Sequence, residues 1–555
     1  METDGKVNFK IDAGSAEGEL NHVWRYIGYD ECNYTSVPEG RELLAKFGSL
    51  GDAPYYVRVH HLLCTGNCHG TYKWGSTNVY SEDGHGNPVY YWQIIDNILD
   101  ILLENNCKPF LELGFMPMDL LDGAFFEGVN EWEAFGKYKS IGWSMPPKDY
   151  GKWHELIRNL VRHCVRRYGQ EEVLTWYWEL WNEPDIFYWR GTPEEFCKLY
   201  DYTEAAIHAA LPGARLGGPA TTGPVEGPGG SLEFLEKFLD HCRNGINEAT
   251  GQKGTRLDYV TFHTKGGGFP FKVNAPKATP SVKSMVRQVR LGLEAVRKYG
   301  YGDLEVVLSE ADPDGWAAGG RFDNRNMNFR NTEYYASFVA SSYNHIGRLA
   351  AEMGMDVRPL AWAFLFVGER CFEGTRTFST QGIDKPVFNL FKMYSRMGPY
   401  RLNLHCSQKY HFLQEESCPE AQAEGEAASE AMPEVSGMAS GSDDGNVRIM
   451  VYSHHDDWDI AAENRVSIEL SGLKSGDSYN VKHYRIDKNY SNAYAEWVSR
   501  GSPDYPTKQT YDAIKRKDEL ELLEPGRSVS ISGDRLELDF SLPAHAVSLI
   551  ELIKE

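Results

Sequence analysis

The chain contains no stretch long and apolar enough to cross a bilayer. Its run Leu360 to Val367, the longest beside a motif, falls far short of the roughly 20 residues a spanning helix needs. The N-terminus, Met1-Glu-Thr-Asp-Gly-Lys-Val7, lacks the basic and then apolar pattern of a secretory leader, so the expectation is a cytoplasmic protein. Positive charge is in short supply. With 57 Lys and Arg against 79 Asp and Glu, the formal net charge is −22. That argues against nucleic acid and against anionic membrane surfaces as partners. Cysteine is sparse, 10 in 555 residues, and its spacing matches no small disulfide scaffold; the thiols are read as reduced. Asn33-Tyr-Thr35 and Asn489-Tyr-Ser491 fit the glycosylation pattern, but without a leader they are read as chance matches. No internal repeat is visible, and no Gly-rich phosphate loop follows the first strand-like segment, which disfavours an open dinucleotide-binding sheet.

What the chain does have is length for more than one core, and many aromatic residues. Most of these serve packing; some are available to stack on the apolar faces of sugars. Eight short apolar segments read as buried parallel strands: Val23–Tyr29, Tyr55–His60, Lys108–Phe115, Thr175–Trp181, Ala214–Pro219, Asp258–Thr264, Leu304–Ser309 and Arg358–Phe366. Amphipathic helical stretches alternate with them, clearest at Tyr90–Asn106, Tyr150–Tyr168, Pro193–Ala210, Leu232–Arg243, Val282–Tyr299 and Thr332–Met353. Thr192-Pro-Glu-Glu195 makes a capping box. The fold class expected is α/β, a (β/α)8 TIM barrel over residues 14–397. From 398 to 555 the pattern shifts to short strands with turns, an accessory C-terminal β-sandwich completed by an N-terminal strand within 1–13. Residues 414–445, rich in Glu, Ala, Ser, Gly and Pro, read as a flexible acidic loop.

Two carboxylates carry the chemistry. Glu183 ends the fourth strand segment and Glu310 the seventh, so in a barrel both face one mouth from opposite sides. Paired carboxylates on rigid strand ends are what glycosidic bond cleavage needs. In its retaining form one protonates the leaving oxygen, and the other, about 5–5.5 Å away, attacks the anomeric carbon.

Trp181-Asn-Glu-Pro184 and Ser309-Glu-Ala-Asp312 resemble the acid/base and nucleophile stretches of glycoside hydrolase family 39, within clan A. Leu113-Gly-Phe-Met-Pro117, Tyr168-Gly-Gln-Glu-Glu-Val173, Leu216-Gly-Gly-Pro219 and the segment Trp497 to Pro506 fit the same resemblance, which covers most of the chain. The family contains β-xylosidases and α-L-iduronidases, retaining exo-enzymes with a barrel and a β-sandwich. The resemblance implies Glu183 as general acid/base, Glu310 as nucleophile, and Asn182 as the holder of the sugar 2-hydroxyl. Glu183 then needs a site that keeps it protonated, and Glu310 one that keeps it ionised.

Arg58-Val-His-His-Leu-Leu63 matches a further family pattern, with Arg58 supporting Glu310 and His60 meeting the sugar. His60, His61, Cys64, Cys68 and His69 also crowd like metal ligands, but no second Cys/His pair lies at zinc spacing, and no metal is expected. His263, in Phe262-His-Thr-Lys-Gly266, matches the family. Lys265 stands where some β-xylosidases of the family carry Tyr and where α-L-iduronidases carry a Lys for the sugar carboxylate. Residues 240–251 also look iduronidase-like. Phe115 and Trp362 are candidate aromatic walls; Trp316, Glu369 and Arg376 are candidates on loops after strands seven and eight. Asp456, Asp457 and Asp459 cluster without a full calcium loop and read as a solvated turn.

The expected function is a retaining exo-glycosidase, foremost a β-D-xylosidase acting on xylo-oligosaccharides, with no cofactor. An α-L-iduronidase or other uronic-acid exo-hydrolase is the alternative with the same chemistry. A non-catalytic sugar-binding protein is the alternative without it. The expected partner is an oligosaccharide substrate; assembly as a homo-oligomer is left open.

Overall fold

The computed structural model describes residues 6–66, 76–122, 142–267, 277, 279–315, 320–322, 324–363, 368–408 and 432–555. Eight parallel strand positions form the catalytic-size sheet: Tyr26–Glu31, Tyr55–His60, Cys107–Leu113, Tyr177–Leu180, Arg215–Thr221, Tyr259–Lys265, Val306–Asp312, and an eighth split into Val357–Pro359 and Ala361–Trp362. The first half of the eighth strand pairs with the seventh, and the second half pairs with the first. Leu360 bridges the halves, donating to the Leu308 carbonyl at 3.0 Å and accepting from Ala311 at 2.8 Å. The sheet therefore closes on itself as a TIM barrel, leaving no edge. Residues 364–366, the end of the expected eighth strand, lie outside the described residues.

Helices cover the barrel where amphipathic periodicity places them. Pro193–Ala210 starts at the capping box read from sequence: Glu195 N–H donates to Thr192 Oγ1 at 3.2 Å, and Thr192 N–H to Glu195 Oε2 at 2.7 Å. The longest, Glu333–Met353, stops at Gly354, whose left-handed φ of 63° suits glycine. It is buried on most of its circumference because it separates the barrel from the second domain. Its polar residues pair across that boundary. Ser341 donates to Glu434 at 2.8 Å, and His345 Nε2 lies 2.7 Å from the same carboxylate.

The second domain is a nine-stranded sheet, separate from the barrel, that wraps one core of Phe9, Ile11, Ile449, Ile468, Leu538 and Ile550 among others. The N-terminal strand, Lys6–Glu19, is longer than expected and lies inside this sheet. It runs parallel to Glu463–Ser471 and antiparallel to Tyr400–Cys406. One expectation needs correction: Glu434–Gly441, assigned to the acidic loop, is a central strand. Its small residues serve close packing. A Cβ on Gly437 would stand 2.2 Å from the Met450 carbonyl oxygen of the neighbouring strand. Residues 409–431 of the expected loop lie outside the described residues. Between Ser478–Ile486 and Glu521–Ser530 the chain makes an excursion with two short helices, Ala493–Ser499 and Lys508–Lys515. Trp497, Ala493 and Ile514 there pack on Cys371, Phe372 and Ile383 of the loop after the eighth barrel strand.

Gly437→Ala is expected to cost about 1–3 kcal/mol, as overpacking against an immobile backbone does. A calorimetric melting temperature equal to that of the parent would mean the segment is not held between two strands.

Candidate active site

Arg58 lies inside the barrel with no exposed surface. A buried guanidinium must find acceptors for its fork of donors. Nε donates to Glu179 at 2.5 Å, Nη2 to Asn182 Oδ1 at 3.0 Å, and Nη1 faces Glu310 Oε1 at 3.4 Å. Nη2 also sits 3.0 Å from Glu112 Oε2. Strands two, three, four and seven thus meet on one cation. Glu112 and Glu179 were not singled out from sequence; the available signal was an acid within an otherwise apolar strand.

Above this layer the candidate pair comes together. One carboxylate oxygen of Glu183, one of Glu310 and a ring nitrogen of His263 all lie within 4.8 Å of one another. The turn carrying Glu183 is fixed by its neighbours. Trp181 and Glu183 both adopt left-handed φ, 68° and 45°, which a non-glycine residue holds only where surroundings impose it. Glu183 N–H donates to the Ala220 carbonyl at 2.8 Å, and the Trp181 indole to the Tyr188 carbonyl at 2.9 Å. Asp185, two residues on, accepts from the Thr222 N–H at 2.9 Å. His263 Nδ1 lies 2.9 Å from Glu183 Oε1.

Glu310 is ringed by cations. Lys265 Nζ donates to its Oε2 at 2.7 Å and to Asp312 at 2.6 Å. Arg376 Nη2 donates to Asp312 at 2.8 Å and stands 3.6 Å from Glu310. His60 Nε2 lies 3.3 Å from Glu310 Oε1, while its Nδ1 makes a short contact with Glu112. Burial alone raises the Glu310 carboxyl, but Lys265, His263 and His60 outweigh it and hold the group well below the ordinary carboxylate range. Burial likewise opposes the charged form of His60, yet Glu112 and Glu310 raise it to about 10. Glu310 is therefore an ionised carboxylate beside an imidazolium. The donor set Glu183, His263 and Glu310 has the number and type to hold a divalent ion. Arg58, Lys265 and Arg376 already neutralise Glu310 and would repel one.

The other candidates divide. Trp362 is buried, its ring 4.9 Å from that of His60, with the Arg58 and Arg376 guanidinium carbons 5.8 Å and 5.7 Å from its centroid. Phe115 is buried against Trp143, Tyr188 and Trp181, with His60 at 6.3 Å. Glu369 is drawn into its own loop, accepting from Gly374 N–H at 2.9 Å. Burial raises its carboxyl to about 7 against the pull of Lys385. Trp316 lies outside the described residues, as do Cys68 and His69 of the crowded Cys/His stretch. In the second domain Asp457 and Asp459 both bind Lys277, so a lysine ammonium sits where a calcium ion would have to sit. Asp30 and Asp312 also face this mouth and were not among the sequence candidates; each follows or ends a strand-like run, which was the available signal.

Comparison with known proteins places the chain among enzymes. The family profile described as glycosyl hydrolases family 39 matches residues 7–536. A β-xylosidase of Caldicellulosiruptor saccharolyticus is 25% identical over 577 residues, covering 100% of this chain and 99% of that protein. An α-L-iduronidase of Mus musculus is 24% identical over 576 residues, covering 98% of this chain and 80% of its own. The crystal structure of a monomeric β-xylosidase from Caulobacter crescentus CB15 superposes with a TM-score of 0.75 at 24% identity, covering 98% and 99% of the two chains.

Replacing Lys265 by Met removes the strongest counter-charge on Glu310 and the cation that stands between Glu310 and Asp312. The Glu310 carboxyl then titrates at higher pH, followed by 13C NMR of glutamate-labelled protein. An unmoved titration would show that the remaining cations hold Glu310 ionised alone.

Proposed function

Because the chain belongs to the glycosyl hydrolases of family 39 and is a glycoside hydrolase, we propose that it is a retaining exo-glycosidase, foremost a β-D-xylosidase. On this reading it releases xylose from the non-reducing ends of xylo-oligosaccharides. The observation that carries the reading is the spacing of the two acids. Their nearest carboxylate oxygens are within 4.8 Å, close to the roughly 5–5.5 Å of retaining enzymes and too close to leave room for the water an inverting enzyme places between them.

In the first step Glu310, kept anionic by its cations, attacks the anomeric carbon, and the glycosidic oxygen leaves with a proton from Glu183. In the second, Glu183 takes a proton from water, which attacks the same carbon and frees Glu310. His263, 2.9 Å from Glu183, orients that carboxyl through both steps. Asn182, held by Arg58 at 3.0 Å, is the expected partner of the sugar 2-hydroxyl. The same chemistry serves a uronide, and one observation favours that second reading: Lys265 and Arg376 bring two cations to one side of the site.

Hydrolysis of an aryl β-D-xylopyranoside, with the first-formed sugar read by NMR, is expected to give retention; inversion ends the mechanism. Glu310→Ala is expected to lower kcat more than about a thousandfold, with partial rescue by azide. Glu183→Ala is expected to cost about 10²–10⁴-fold on leaving groups that need a proton and far less on those that do not. For the uronide reading, wild-type enzyme must turn over an aryl α-L-iduronide, and Lys265→Ala must lose more on it than on the xyloside. Equal losses refute that reading.

A further inference from the structure

We propose that Asp30 is a further substrate-binding carboxylate, taking a hydroxyl of the sugar seated over Glu310. The proposal rests on the glycosidase reading above and deepens it. Asp30 sits near the C-terminal end of the first barrel strand, at the mouth where Glu183 and Glu310 meet. Its Oδ1 accepts from the Trp362 indole at 2.7 Å and lies 3.8 Å from His60 Nε2. The same His60 nitrogen is 3.3 Å from Glu310 Oε1, so one imidazole edge touches both carboxylates. A ring placed for attack by Glu310 therefore brings its hydroxyls to Asp30.

The surroundings are built to hold this acid in place. Trp362 lies across the first strand because residue 28 is glycine. A Cβ there would come 2.4 Å from the indole Cζ3. The indole reaches over that gap to fix one oxygen of Asp30. The side chain keeps 14% of its surface, so it is neither sealed in the core nor free in solvent. A largely buried acid with one oxygen fixed suits a neutral hydroxyl donor, which supplies a hydrogen bond without a second charge. It disfavours a second carboxylate nearby, so the same residue selects neutral sugars at whichever ring position it meets.

The test uses the full-length enzyme, its Asp30→Asn variant, and the aryl glycoside the wild type cleaves, with that glycoside's monodeoxy analogues. Asparagine keeps the acceptor for Trp362 and removes the charge; equal melting temperatures and Trp fluorescence establish that the fold is retained. The expected result is a loss of about 10–100-fold in kcat/KM on the parent glycoside, the cost of losing a hydrogen bond to a charged group. On one monodeoxy analogue the loss disappears, and wild type and variant become equal. A loss of the same size on every analogue, or none on the parent, overturns the proposal. Turnover of uronides only refutes both the xylose reading and the selection of neutral sugars by Asp30. No turnover of any aryl glycoside refutes both.

Discussion

A single buried arginine organises the site. Arg58 has no exposed surface, and its charge is met by Glu179, Glu112, Asn182 and Glu310. Burying an ion this way gains little net stability, but removing Arg58 would strip the buried Glu112, Glu179 and Glu310 of their shared cation, at a cost of about 3–5 kcal/mol. The arrangement is thus rigid for an energetic reason. Glu310 and the Asn182 amide beside Glu183 are tied to the same guanidinium, so the fourth and seventh strands cannot drift apart independently. Precision at the strand ends follows from a constraint one layer below them.

The rest of the molecule extends that constraint outward. Arg376 comes from the loop after the eighth strand, whose pairing among the described residues is a short ribbon at Ser379–Thr380 and Ile383–Asp384 and a single bridge from Gly374 to Gly320. The second domain clasps this loop. Trp497, Ala493 and Ile514 pack on Cys371, Phe372 and Ile383, the Asp504 carbonyl accepts from Cys371 N–H at 3.0 Å, and the Asp504 side chain binds Arg321. Farther round, Glu434 of the sheet holds Ser341 and His345 of the helix between the domains. Among the described residues no hydrogen bond or ion pair joins the second domain to Glu310, yet the domain fixes the loop that delivers one of the cations around it.

Much of this was legible in the chain. Strand ends were readable because apolar runs stop at turn residues, and Glu183 and Glu310 stand where two such runs stop. Arg58, His60, His263, Lys265 and Arg376 were named for the same reason or through family resemblance, and all five lie against Glu310. What escaped was set by tertiary partners. Glu112 and Glu179 look like ordinary strand residues until Arg58 lies between them. Asp30, followed by Glu31, reads as the polar start of a loop, and only the indole of Trp362, over three hundred residues away, gives it a fixed place. Glu434–Gly441 was taken for loop because small residues signal flexibility in isolation. In the sheet the same smallness lets two backbones approach.

The balance of charge at the mouth bears on which sugar fits. A uronic acid needs a cation left over for its carboxylate. Lys265 already serves Glu310 and Asp312, Arg376 serves Asp312, and Arg58 is spent beneath them. Burial lifts the Asp30 carboxyl to about 6 against the pull of His60 and Arg376, so near neutral pH it adds a further negative group on the far side of His60. Burial of Asp312 is likewise outweighed by Lys265, Arg376 and Arg330, which keep it ionised. Each cation around Glu310 is thus matched by an acid of the protein itself. Seating a substrate carboxylate would mean taking Lys265 from two partners at once, weakening the field that keeps Glu310 anionic. On the proposed reading a neutral pentose makes no such demand, its hydroxyls meeting an acceptor in Asp30 and a donor in Asn182. On physical grounds the site leans toward the neutral sugar even though the residue most reminiscent of a uronate-binding lysine is present.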